Sequence, residues 1–164
     1  MDQSSMPGKP PSESAIEMNE WVLPQHANAL GATFGGVLMS WVDLGAAMAA
    51  QRHARRTVVT ASMDAVDFIA PIRVGQMVNL KCCVHYVGRT SLDVGVRVEA
   101  EDPLTGARAH ALSASLTFVA LGPDNRPTVI APLLPETPEE QRLFDAAKKR
   151  RAAKEVTRSE ADAS

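Results

Sequence analysis

The fold is decided by the stretch from Ala27 to Ala50, which reads ANALGATFGGVLMSWVDLGAAMAA. This stretch is apolar and rich in small residues, and Asp43 is its one charged side chain. After Gly36 it contains good helix formers and no proline, so we predict a helix from Gly36 to about His53. An apolar helix of this kind has to be covered by the rest of the chain.

Helical spacing divides this predicted helix into two faces. One is a broad apolar face of Val37, Leu38, Trp41, Val42, Met48 and Ala49. The other carries mostly small residues, namely Gly36, Met39 or Ser40, Asp43, Ala46 or Ala47, and Ala50. Small side chains permit the close approach of another backbone or of a ligand.

Outside the helix the hydrophobic pattern has a period of two, which is typical of half-buried strands. We predict strands over residues 15–23, 57–69, 78–86, 92–98 and 112–118. The short connections after residue 69 favour an antiparallel arrangement. The fold class is therefore α+β, with a long central helix wrapped by a curved antiparallel sheet, plus a charged C-terminal helix from Glu139 to about Lys154.

Composition divides the chain into three parts. Residues 1–14 are rich in Ser, Pro and Gly, and we predict a disordered tail. Residues 15–132 form a single domain, and residues 133–164 comprise a proline-rich linker, the charged helix and a frayed end of ten residues.

The net charge of −2 gives no reason to expect binding to nucleic acid or to a membrane surface. Asp43 and Asn28 argue against a membrane span over Ala27–Ala50, since a carboxylate in lipid is costly. No signal peptide precedes the domain, and the adjacent Cys82 and Cys83 would point to opposite faces of a strand. A reducing, cytoplasmic location fits best, and no ligand spacing indicates a metal site.

Asp43 is the strongest candidate for chemistry. It could be a partly exposed helix residue, or a buried carboxylate satisfied by backbone groups. Alternatively, Asp43 has a chemical role, which is favoured by its position two turns after Gly36 on the same face as the helix start. A carboxylate there stays ionised more readily and can act as a general base on water.

The residues before Asp43 have two interpretations each. Gly35 and Gly36 could serve only a turn, or they could let a carbonyl approach the free N–H groups of the helix start, which would stabilise an oxyanion. Asn28 could make only an Asx-turn, or its amide could orient a water or polarise a carbonyl.

Further candidates are weaker. Thr60 and Ser62 are expected on one face of their strand, with Asp64 and Asp67 as surface or edge residues. The turn Arg89-Thr90-Ser91 follows Gly88, and its arginine and two hydroxyls suit a phosphate. The four histidines share no spacing and are interpreted as mostly structural or exposed.

Several segments together resemble the hotdog-fold acyl-CoA thioesterases, and among them the cytosolic acyl-CoA hydrolase type. The resemblance covers roughly residues 24–132 and is specific as a set. It rests on Asn28–Gly31, Phe34–Asp43, Thr60–Ser62 with Asp67-Phe68, Pro71-Ile72 with Val74-Gly75, and Val87–Ser91.

The resemblance implies an antiparallel sheet wrapped around the helix and a homo-oligomer, with a dimer as the minimum and a hexamer built as a trimer of dimers. It implies sites shared between subunits, where Asp43 of one chain and Asn28 of another serve the same site. It places Gly35, Gly36, Val37 and Thr60 at the oxyanion or substrate, and Arg89, Thr90 and Ser91 at the CoA moiety.

The hypothesis is hydrolysis of an acyl-CoA to free acid and CoA without a cofactor or metal, with Asp43 as general base or nucleophile. One alternative is a non-catalytic acyl-CoA sensor, for which the pair Asn28 and Asp43 would be superfluous. The other is a dehydratase acting on hydroxyacyl thioesters, which would need a histidine near the helix start, where His26 is the nearest.

Overall fold

The computed structural model describes residues 2–162. Its central element is helix α1, Gly35–Ala54. The helix follows the extended Phe34, and its C-cap residue, Arg55, has a left-handed backbone conformation. This confirms the predicted helix to within one residue at each end. No helix of the described part is both long and apolar enough to cross a bilayer.

A five-stranded antiparallel sheet curves around α1, which confirms the predicted fold class. The strands lie in the order β1-β3-β4-β5-β2. They are β1 Ile16–Trp21, β2 Thr57–Phe68, β3 Met77–Val87, β4 Ser91–Glu101 and β5 Arg108–Leu121. Alternate residues of the strands point toward α1 and form the core. The period-two pattern of the sequence therefore arises from half-buried strands, as predicted.

The face of α1 that meets the sheet agrees only in part with the prediction, because Leu38, Val42 and Ala49 of the predicted apolar face are buried but its other members are not. The buried residues are Leu38, Val42, Gly45, Ala46, Ala49, Ala50 and His53. Ala46 and Ala50 therefore pack on the core rather than beside Asp43, while Met48 is 39% exposed. A Cβ on Gly45 would lie 2.9 Å from Cys82 Sγ, so small residues bring the helix axis close to the sheet.

The N-terminal segment is packed, and the expectation of a disordered tail is wrong for residues 2–14. Gln3 Nε2 donates to the carbonyl of Gly88 at 2.7 Å, and the Lys9 backbone pairs with Pro132 and Leu134. Ser14 is buried. The segment contains two short 3₁₀ helices, Gln3–Ser5 and Pro11–Glu13, and its polar groups find partners on the surface of the domain. Met1 lies outside the described residues.

Helix α2, Pro138–Asp162, crosses the outer face of the sheet, and Phe144 packs against Tyr86 with ring centroids 5.2 Å apart and ring planes tilted by 56°. Its start is capped by Thr137 and Glu140, whose side chains accept each other's backbone N–H. The predicted frayed end is wrong up to Asp162, because the helix continues past Lys154; residues 163–164 lie outside the described part.

Candidate active site

Asp43 and Thr60 form the centre of the candidate site. Asp43 lies half-buried on α1, and Thr60 lies on the edge strand β2. Thr60 Oγ1 donates a hydrogen bond to Asp43 Oδ1 at 2.8 Å. The carboxylate is thus oriented by a hydroxyl from another element, while its second oxygen is left available.

A β-bulge separates Thr60 from Ser62. Thr60 pairs with Phe118 and Ser62 with Thr117, so Ala61 is an extra residue in β2. Thr60 consequently points to α1, while Ser62 points to the outer face and accepts a hydrogen bond from Lys154 Nζ at 2.6 Å. The expectation that Thr60 and Ser62 share a face is therefore wrong, since period two holds only in an unbroken strand.

The start of α1 offers backbone donors. Val37 N donates to the carbonyl of Phe34 at 3.0 Å. The N–H groups of Gly35 and Gly36, by contrast, have no acceptor among residues 2–162. A Cβ on Gly36 would lie 2.9 Å from a ring carbon of Phe34. Glycine there therefore leaves room beside the exposed Phe34 ring.

Asn28 lies in the exposed loop before α1. Its Oδ1 accepts hydrogen bonds from the backbone N–H groups of Leu30 at 2.9 Å and Ala32 at 3.2 Å. The side-chain oxygen therefore holds the loop, and the amide nitrogen is the part left for another partner. Within the described chain, no hydrogen bond joins Asn28 to Asp43.

The turn Arg89-Thr90-Ser91 lies between β3 and β4. Gly88 N donates to the carbonyl of Ser91 at 2.8 Å, and Ile130 N donates to that of Arg89. Arg89 is exposed, whereas Ser91 is buried and its Oγ accepts a hydrogen bond from Arg151 of α2. Within the part of one chain that the structure covers, neither a hydrogen bond nor an ion pair connects this turn to Asp43.

The histidines have structural surroundings. His26 Nδ1 accepts a hydrogen bond from Leu23 N, and its ring packs edge-on against Trp41 at 5.0 Å. Burial lowers the pKa of His53, whose Nε2 lies 2.9 Å from the carbonyl oxygen of Ala131. Burial, with Arg150 and Arg142 nearby, lowers the pKa of His85 to about 4.

The sequence analysis missed a buried acid beneath α2. Asp93 is 8% exposed; Thr117 Oγ1 donates to its Oδ1 at 2.6 Å, and Arg151 Nη1 lies 3.7 Å from its Oδ2. Burial raises the pKa of Asp93, and Thr117 and Arg151 oppose that rise. The available signal was a carboxylate inside an apolar strand together with a basic run on a later helix.

The two cysteines are free thiols on opposite faces of β3, as predicted. Burial raises the pKa of Cys82 to about 12 and that of Cys83 to about 11, so neither is a ready nucleophile. Among residues 2–162, no three His, Cys, Asp or Glu side chains are grouped as metal ligands.

Comparison with known families and sequences agrees with the resemblance. The model of the Thioesterase superfamily matches residues 30–107. The uncharacterized acyl-CoA thioester hydrolase YkhA of Bacillus subtilis is 42% identical over 138 residues, which are 84% of this chain and 80% of that protein. Acyl-coenzyme A thioesterase 11 of Mus musculus is 36% identical over 136 residues, 83% of this chain but only 23% of that longer protein.

Solved structures give the same result for the fold. An acyl-CoA hydrolase from Staphylococcus aureus, in complex with butyryl coenzyme A, coenzyme A and coenzyme A disulfide, has a TM-score of 0.88 and 36% identity over 95% of both chains. An apo-hexameric acyl-CoA thioesterase has a TM-score of 0.89 and 36% identity, covering 93% of this chain and 97% of the other.

Proposed function

The chain belongs to the thioesterase superfamily as a hotdog-fold acyl-CoA thioester hydrolase, and from this premise we propose how it cleaves acyl-CoA to a free carboxylic acid and CoA. The observation that carries the proposal is the hydrogen bond of 2.8 Å from Thr60 to Asp43, on a helix that begins with two free glycine N–H groups. A carboxylate and an oxyanion site are what acyl transfer to water requires.

In the proposed reaction, Asp43 takes a proton from water while the water oxygen attacks the thioester carbonyl carbon. The tetrahedral intermediate then expels the CoA thiolate, which the proton held by Asp43 neutralises. A carboxylate can instead attack the carbonyl directly and form an anhydride that water cleaves, so Asp43 is either base or nucleophile. In both versions Thr60 keeps the reacting oxygen of Asp43 oriented.

The N–H groups of Gly35 and Gly36 are proposed to hold the developing oxyanion. They lie at the positive end of α1, where the helix dipole favours negative charge. Val37 would contribute only by sharing the N–H that it donates to Phe34. These donors are fixed by the helix itself, so they need little reorganisation during the reaction.

The site is proposed to lie between two copies of the chain, with Asn28 supplied by the partner. The surface near Asp43 supports this, because α1 and the edge strand β2 expose large apolar side chains. These are Leu44, Met48, Val59, Met63 and Phe68, each at least 39% exposed. A dimer is the minimum assembly, and a hexamer follows the similar hexameric acyl-CoA thioesterase.

The CoA moiety is proposed to contact Arg89-Thr90-Ser91, where Arg89 is exposed and makes no ion pair in the described part of the chain. The proposed reaction needs only water as the second reactant, without a cofactor or metal. We also propose a cytoplasmic location. A dehydratase is disfavoured because His26 already binds Leu23 N and Trp41.

The proposal is tested by thiol release from a panel of acyl-CoAs. We expect wild-type turnover on at least one chain length and a loss of about 10²–10⁴-fold in kcat for Asp43→Ala. Asp67→Ala is the control, because Asp67 is an exposed aspartate on β2, the edge strand that also carries Thr60. Wild-type turnover by Asp43→Ala would contradict the assignment, and CoA binding without any turnover would favour the sensor.

A further inference from the structure

The turn Gly88–Ser91, between β3 and β4, is held by parts of the chain that lie far from it in sequence. Ile130 N donates a hydrogen bond to the carbonyl of Arg89 at 3.2 Å. The carbonyl of Gly88 is bound by a side chain, because Gln3 Nε2 donates to it at 2.7 Å. Two carbonyls of the turn thus depend on donors from outside the two strands that it joins.

Gln3 also connects these two contacts to each other. Its Nε2 donates to the carbonyl of Ile130 at 3.2 Å, so a single NH₂ group binds two carbonyl oxygens. Since both partners are acceptors, only the donor end of the amide can face them. Gln3, Gly88, Arg89 and Ile130 therefore form a closed loop of hydrogen bonds and peptide bonds.

The N-terminal segment that carries Gln3 is itself tethered. Lys9 N donates to the carbonyl of Pro132 at 3.0 Å, and Leu134 N donates to that of Lys9 at 2.9 Å. Lys9 Nζ donates to the carbonyl of His53, near the end of α1, at 2.8 Å. Because the chain is already ordered a few residues after Gln3, less conformational entropy is lost when the Gln3 amide binds the turn.

We propose that Gln3 is a positioning residue for the substrate: it holds the Gly88–Ser91 turn in the conformation that presents Arg89 to CoA. The inference rests on the proposed contact between Arg89 and CoA. Arg89 is exposed, and its side chain has no ion pair among residues 2–162. A side chain on a fixed backbone loses less freedom on binding than one on a mobile turn, so the tethered turn favours affinity for CoA.

Steady-state kinetics on an acyl-CoA test this role. Gln3→Met keeps a side chain of similar length but removes both donors. We expect it to raise KM about fivefold and to leave kcat at the wild-type value, because binding is weakened while the reacting groups stay in place. Gln141→Met is the matched control, because Gln141 is exposed on α2 and its amide donates to Asp145; both constants should stay at their wild-type values.

Hydrogen–deuterium exchange gives a check that needs no substrate. The amides of Gly88–Ser91 should exchange faster in Gln3→Met than in Gln141→Met, since the hold on the Gly88 carbonyl is lost. Equal exchange in the two variants would overturn the proposal. So would a fall in kcat by Gln3→Met as large as its rise in KM, because general destabilisation would then explain both.

Arg89→Gln separates this proposal from the proposed function. It should raise KM by itself, and Gln3→Met/Arg89→Gln should raise KM no further, because Gln3 acts through Arg89. Additive effects would overturn the role of Gln3 while the contact of Arg89 with CoA stands, and so would a raised KM in Arg89→Gln alone. An unchanged KM in Arg89→Gln would contradict the CoA contact, and the role of Gln3 with it.

Discussion

Thr60 fixes how Asp43 presents its carboxylate, because its hydroxyl occupies one of the two oxygens. The sequence singled out Asp43 as the one charge in an apolar helix, and that inference needed no structure. The partnership with Thr60 could not be derived in the same way. It depends on the packing of α1 against β2 and on a bulge that no periodicity reveals.

Replacing Thr60 with valine removes the hydroxyl but keeps the shape of the side chain. We expect kcat to fall about tenfold, because a hydrogen bond to a charged group is lost. Thr60→Ser keeps the hydroxyl and should retain most of the activity. Steady-state kinetics of both variants on the best acyl-CoA substrate make the comparison; equal rates for valine and wild type would remove Thr60 from the site.

His85 predicts how stability depends on pH. Its folded-state pKa is about 4, against 6.5 for the free side chain, mainly because of burial. Between these values the unfolded chain binds the extra proton, so the free energy of unfolding falls as the pH drops from 6.5 toward 4. The loss from this one group is about 3 kcal/mol.

The measurement is denaturant unfolding at pH 7 and pH 4.5 for wild type, His85→Gln and the control His110→Gln. His85→Gln should lose less stability over that interval than wild type, because its side chain takes up no proton. His110→Gln should behave like wild type. If His85→Gln and wild type lose the same stability, the pKa of His85 is not lowered in the folded chain.

At the scale of elements, α2 is the part that the sequence described least well. The sequence predicted a charged helix without any contact to the sheet, yet Ala147 is buried and Phe144 packs on Tyr86. The strands and α1 were predictable because a buried face imposes period two or period 3.6 on the sequence. A helix that lies on a polar sheet face is held by a few separate side-chain contacts, and such contacts produce no hydrophobic periodicity in the sequence.

Phe144→Ala should loosen α2 without disturbing α1. Loss of a half-buried aromatic contact is expected to cost about 1–2 kcal/mol and to accelerate amide exchange throughout α2. Hydrogen–deuterium exchange read by mass spectrometry checks this, with Val156→Ala as control because Val156 is 57% exposed on the same helix. Unchanged α2 exchange in Phe144→Ala would show that other contacts hold the helix.

For the whole molecule, the proposed catalytic unit is larger than one chain. Asn28 and Asp43 lie in one stretch of sequence, but the folded chain does not join them by a hydrogen bond. One sequence can expose an apolar surface, as β2 and α1 do here, without revealing the geometry of the partner that covers it. The sharing of the site between chains therefore stays a prediction from resemblance.

Mixing inactive variants tests the shared site. Asn28→Ala and Asp43→Ala chains, unfolded together and refolded at equal amounts, form some dimers that contain one of each. Such a dimer holds one intact site if the two residues come from different chains, so about a quarter of wild-type activity should return. Each variant refolded alone provides the baseline, and a mixture no more active than the baseline would place both residues in the same chain.

The extra residue at Ala61 also matters for how this protein can evolve. Because β2 changes phase there, Thr60 contacts Asp43 on α1, and Ser62 and Asp64 contact Lys154 on the other side of the sheet. Substitutions at Ser62 and Asp64 can therefore change the outer surface without removing the contact between Thr60 and Asp43. Engineering libraries that aim at the outer surface of β2 can therefore be confined to these two positions, which lie on the far side of the bulge from Thr60.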